Sequence, residues 1–168
     1  MCCLDGQEAN SLGNKGVNMI EAPVLIQTDS YKAGHAAMYP DAQEMTAYME
    51  CRGAFGEAPD NRILFYGFRY LYETVVSRRI TMEDIRLADV WYATHGVAKS
   101  NFSYPRELWI AVIEELDGYL PFEIKVLREG TVMHPHVPFI QITARGKFAR
   151  LVTWLETRLT HVWLIVAL

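Results

Sequence analysis

The chain has 168 residues, of which 51% are hydrophobic and 12% aromatic, and its formal net charge is −4. That length and composition suit one globular domain with a sizeable core and exclude a largely disordered chain. The acidic balance argues against a nucleic-acid-binding domain, which is usually basic, but leaves room for a local phosphate site.

Residues 1–18 show no periodicity and no apolar core, so they read as a disordered leader or start-site extension and not as a signal peptide. Residues 19–168 carry all of the periodic pattern. Val24-Leu25-Ile26 is a short apolar run, either a strand or the lead-in to the Thr28–Lys32 motif. Asp29 or Ser30 can cap a short helix holding Tyr31, Lys32 and His35. Tyr39-Pro40 ends it, because a residue before proline avoids the helical region. Met45 to Cys51 alternate as a strand and deliver Arg52 at its end, and residues 53–60 have loop composition. Leu64, Phe68, Leu71 and Val75 fall at helical spacing and predict an amphipathic helix from Ile63 to Arg79. Arg78 and Arg79 would then sit at its negative dipole end.

Thr81 with Asp84 three positions on resembles a capping box, with a helix running to His95 and closed by Gly96. Ser103-Tyr104-Pro105 opens another, with proline in the first turn, Leu108, Val112 and Leu116 on the buried face, and Asp117-Gly118 as the stop. After Pro121 the period changes from helical to alternating. Phe122, Ile124 and Val126 mark one strand, Gly130 breaks it, and Pro138 to Ala144 alternate again with Ile140 and Ile142 on one face. Arg145-Gly146 turns the chain into a last helix from about Phe148, carrying Leu151, Trp154, Leu155, Leu159 and Val162.

Cys2, Cys3 and Cys51 make neither a disulfide framework nor a spaced metal quartet, so a reducing, cytoplasmic setting is expected. The longest apolar run, Val162 to Leu168, is too short to span a bilayer, and no membrane partner is expected. The sequence stops inside that apolar helical pattern without a stop signal, which reads as an amino-terminal piece of a longer protein. His134-Pro135-His136 could share one face of a strand, but no third ligand accompanies the pair, and no metal site is expected there. Gly13-Asn14-Lys15-Gly16 lacks the preceding strand and following helix of a phosphate loop.

The most chemically dense stretch is Thr28-Asp29-Ser30-Tyr31-Lys32, with His35 and Tyr39-Pro40 behind it and Glu50-Cys51-Arg52-Gly53 after it. An aromatic ring offers stacking area to a flat heterocycle, and arginine offers a planar, permanently charged fork to phosphate oxygens. Chemistry alone favours a loop tyrosine at a core edge and a surface arginine. The ordered series is more specific. With Phe65-Tyr66-Gly67-Phe68, His95-Gly96-Val97, Asp117-Gly118-Tyr119-Leu120-Pro121, Ile124-Lys125, Glu129-Gly130-Thr131-Val132 and Trp154-Leu155-Glu156-Thr157, it resembles the amino-terminal region of nicotinamide phosphoribosyltransferases, within the nicotinate phosphoribosyltransferase family. The bacterial and phage members look most similar, since Arg52 is followed by Gly53 and a short loop.

The resemblance implies an α+β amino-terminal part of a type II phosphoribosyltransferase, with helices packed on a small, mostly antiparallel sheet and the α/β barrel domain missing. It implies a pentosyltransferase of NAD salvage that makes nicotinamide mononucleotide from nicotinamide and phosphoribosyl pyrophosphate, as a head-to-tail homodimer. Tyr31 matches the family tyrosine that stacks on nicotinamide across the dimer, and Arg52 the family arginine near the phosphates, also across the dimer. Asp29 and Ser30 are weaker candidates, more often local caps. Lys32 reads as a solvated charge, His35 as a hydrogen-bonded packing residue, and Glu156 has no role. The family implies Mg2+ and ATP, with ligands in segments that this chain does not carry. The second stacking aromatic, the amide-selecting acid, the pyrophosphate-sugar loop and the phosphorylated histidine are also implied to lie later, so the chain is expected to be inactive alone. Two rivals remain: a nicotinate phosphoribosyltransferase segment, and a non-catalytic truncated remnant or interaction module.

Overall fold

The computed structural model describes residues 23–53, 61–95 and 104–162. The leader expected over residues 1–18, the loop after Gly53, the Gly96 cap and the apolar residues after Val162 fall outside the described residues.

The fold is α+β. A three-stranded antiparallel sheet has the order β1 (Glu44–Glu50), β5 (Pro138–Arg145), β3 (Glu123–Val126), and a two-stranded sheet pairs β2 (Ile63–Leu64) with β4 (Val132–Met133). β5 is the central strand, and Phe139, Ile140, Ile142 and Ala144 are all buried on it. A strand covered on both faces reads as nearly continuous apolar sequence. Its edges carry the polar pattern: Arg145 ion-pairs with Glu44 of β1 and Glu123 of β3.

Among the described residues five α-helices accompany the sheets: α1 (Ser30–Ala33), α2 (Phe68–Leu71), α3 (Met82–Thr94), α4 (Arg106–Leu116) and α5 (Val152–Thr160). Val24-Leu25-Ile26 is a 3-10 turn, with Val24 and Leu25 buried. Thr81 and Asp84 form the expected capping box at the start of α3. Pro105 stands at the N-cap of α4, and Leu108, Trp109 and Val112 form its buried face. α4 ends where Asp117 and Gly118 take left-handed conformations. The Gly118 carbonyl accepts the Ile80 N–H at 2.8 Å, and a Cβ on Gly118 would collide with the Ile80 carbonyl oxygen. Glycine is required there by both φ and space.

The helix predicted from Ile63 to Arg79 is shorter at both ends. Ile63 and Leu64 are strand β2, paired with Met133 and Val132, and Leu64 is exposed. The helix starts at Phe68 after Gly67 at φ 96°, and it passes into a π-helical turn over Tyr72–Val76. The Glu129 carboxylate decides the start. It accepts the Gly67 and Arg69 backbone N–H groups at 2.9 Å each, which caps the helix from a distant turn of the chain. The last helix is likewise preceded by a 3-10 stretch over Gly146–Leu151.

Leu151, Trp154, Leu155, Leu159 and Val162 are all buried, as their helical spacing predicts. Trp154 meets Trp109 of α4 edge-on at 4.8 Å, so α5 joins the helical layer to the sheet. No helix among the described residues is long and apolar enough to cross a membrane.

Candidate functional site

β1 ends at Glu50, and the chain then places Cys51 inside and Arg52 outside. Cys51 is 2% exposed, and burial pushes its thiol from 9.0 up to about 11. The nucleophilic thiolate is therefore scarce at neutral pH. Because the folded pKa is raised, this burial favours the fold fully below pH 9, and that contribution is lost as pH rises through about 11. Cys51 should resist iodoacetamide at neutral pH in the folded protein and become labelled once the chain is unfolded in urea. Peptide mass spectrometry reads this directly, and equal labelling in both states would contradict the burial.

Arg52 is exposed and makes no ion pair with a described residue. It lines a cavity of about 370 Å3 between the sheet and α5. The apolar wall comes from Ala47, Met49, Ile140, Ile142 and Leu159, and the polar rim from Lys32, Glu50, Arg52, Glu156 and Thr160. An apolar wall with a few convergent polar groups is the usual make-up of a small-molecule site.

Lys32 is not a solvated charge. Its side chain is 12% exposed and ion-paired with Glu156 of α5. This pairing gives Glu156 the role that the sequence left open. Two motifs more than a hundred residues apart thus meet. The Thr28 hydroxyl donates to the Trp154 carbonyl at 3.0 Å, and the Thr157 hydroxyl donates to the Asp29 carboxylate at 2.8 Å. Asp29 occupies the N-cap position of α1, but its side chain makes no cap bond; it is spent on Thr157. Ser30 is exposed at the first position of α1.

Tyr31 is 60% exposed. Its ring lies 5.3 Å from that of His35 at a tilt of 57°. It does not line the cavity that holds Arg52 and Lys32. His35 packs on Tyr31, but its buried Nδ1 has no hydrogen-bond partner among the described residues, contrary to the hydrogen-bonded packing expected of it. Lys32, Glu156 and Thr157 are what residue-by-residue reading missed. The only sequence signal was that both motifs carried the same resemblance and offered opposite charges.

The His134/His136 pair does not share a strand face. β4 ends at Met133, and His136 sits in the following turn at φ 63°, 3.4 Å from Glu50. Among the described residues no group of three or more His, Cys, Asp or Glu side chains could hold a metal ion.

Residues 23–124 match the model of the nicotinamide phosphoribosyltransferase N-terminal domain. The chain belongs to the nicotinamide phosphoribosyltransferase family. A curated nicotinamide phosphoribosyltransferase of Xanthomonas campestris pv. campestris (strain 8004) is 30% identical over 142 residues. That match takes in 83% of this chain and 28% of the relative, so the chain spans little more than a quarter of its length. A crystal structure of human nicotinic acid phosphoribosyltransferase superposes with a TM-score of 0.42 at 22% identity, covering 80% of this chain and 25% of that one. Tyr31 and Arg52 both fall inside the segment that matches the nicotinamide phosphoribosyltransferase domain.

Proposed function

We propose that this chain is the amino-terminal part of an enzyme that joins nicotinamide to phosphoribosyl pyrophosphate, in NAD salvage in the cytoplasm. The observation that carries the reading is the family match over residues 23–124, within which Tyr31 and Arg52 both stand exposed.

The pyridine nitrogen forms a bond to the anomeric carbon of the sugar. The bond from that carbon to the pyrophosphate oxygen breaks, and its electron pair leaves with pyrophosphate. The product is nicotinamide mononucleotide. Cleavage at an anomeric centre passes through an oxocarbenium-like state. The base must therefore be held in line with the sugar, which an aromatic face does by stacking. In this reading Tyr31 supplies that face. Arg52 supplies a fixed positive charge near the phosphate oxygens, where negative charge must be held. Both are outward-facing, which suits a site completed by a second subunit of a homodimer. The chain covers 28% of the curated relative, which suits a part that binds and orients while other segments do the remaining chemistry.

The test is direct. The full-length protein that carries this chain should convert nicotinamide and phosphoribosyl pyrophosphate to nicotinamide mononucleotide, read by chromatography. Turnover of nicotinate alone would move the assignment to the acid substrate. Turnover of neither would leave a non-catalytic module.

A further inference from the structure

We propose that Glu156 and Thr157 of α5 are positioning residues for the Tyr31 ring, acting through α1. The inference rests on the nicotinamide reading of Tyr31. α1 is a single turn of four residues with no side-chain cap. So short a helix has no stability of its own, and its direction must be imposed from outside. The Tyr31 ring does little to fix itself, being 60% exposed, with His35 as its aromatic neighbour among the described residues.

The imposed contacts bracket Tyr31 in sequence. On one side the Asp29 carboxylate accepts the Thr157 hydroxyl at 2.8 Å, and the Asp29 N–H points back at the same hydroxyl at 3.4 Å. On the other side Lys32, mostly withdrawn from water, pairs with Glu156. The two anchors are consecutive residues on α5, so they hold α1 at two points and fix its rotation as well as its place. α5 is a rigid ruler, because Trp154, Leu155 and Leu159 beside these anchors are buried. Rotation of a one-turn helix swings its exposed side chain most. A misplacement of about 1 Å at a reacting centre can cost on the order of a hundredfold in rate.

The experiment uses the full-length protein with Thr157→Val and Glu156→Gln, each alone and each combined with Tyr31→Ala. Thr157→Val removes the hydroxyl at nearly constant shape; Glu156→Gln removes the charge. Each should raise the KM for nicotinamide by about tenfold, on the same positional argument, and Thr157→Val should leave the KM for phosphoribosyl pyrophosphate and the melting temperature little changed. Thr157→Ser, which keeps the hydroxyl, should restore the wild-type value. In the Tyr31→Ala background both substitutions should lose their effect, because there is no ring left to aim. A purely structural role predicts the same loss in both backgrounds, and that result overturns the inference. Impaired Tyr31→Ala beside unimpaired Thr157→Val and Glu156→Gln overturns the inference alone. An unimpaired Tyr31→Ala enzyme overturns the nicotinamide reading of Tyr31 and the inference with it.

Discussion

Tyr31→Ala should weaken the use of nicotinamide by about 1–3 kcal/mol, the range measured when an aromatic platform is removed from beneath a base. At about 1.4 kcal/mol per factor of ten in kcat/KM, that is roughly a fivefold to 150-fold loss. The fold should not suffer, because the ring is 60% exposed. Tyr31→Phe should keep most of the activity, since stacking needs the ring and not the hydroxyl. Steady-state kinetics of the full-length protein, with nicotinamide varied at saturating phosphoribosyl pyrophosphate, read the effect. Wild-type kinetics in Tyr31→Ala would remove the stacking role.

Trp154→Ala should destabilise the protein by about 3–5 kcal/mol, the usual cost of truncating a buried tryptophan. Three losses coincide. The indole is 3% exposed and packs edge-on against Trp109 at 4.8 Å. Its N–H donates to the Leu25 carbonyl at 3.3 Å, an oxygen that also accepts the Tyr92 hydroxyl at 3.1 Å. The cavity left behind would lie beneath the segment that leads into α1. Denaturant titration of the full-length protein should show the midpoint fall, and nicotinamide use should fall with it. A midpoint within experimental error of wild type would mean that α5 is not the centre of this core.

How much of this was legible in the sequence differs by element. The Thr81/Asp84 box was legible because a capping box is local, and three residues and one turn decide it. The buried face of α5 was legible because the spacing of Trp154, Leu155 and Leu159 is itself the geometry of a helix face. Ile63-Leu64 misled because a two-residue strand carries no period of its own. Only the pairing with Val132-Met133 makes it a strand. The start of α2 was hidden because its cap, Glu129, arrives from a distant turn. Lys32 misled for the same reason: its partner is 124 residues away.

The sequence by itself determined the family, the α+β class and the two candidate residues, Tyr31 and Arg52. These depend on residue identity, order and local period, which a linear chain displays. Tertiary structure decided which groups share a cavity, which charge is withdrawn from water and what holds the Tyr31 helix in place. Each of those depends on a contact across the fold, because a one-turn helix or an isolated lysine has too little local energy to fix its own environment.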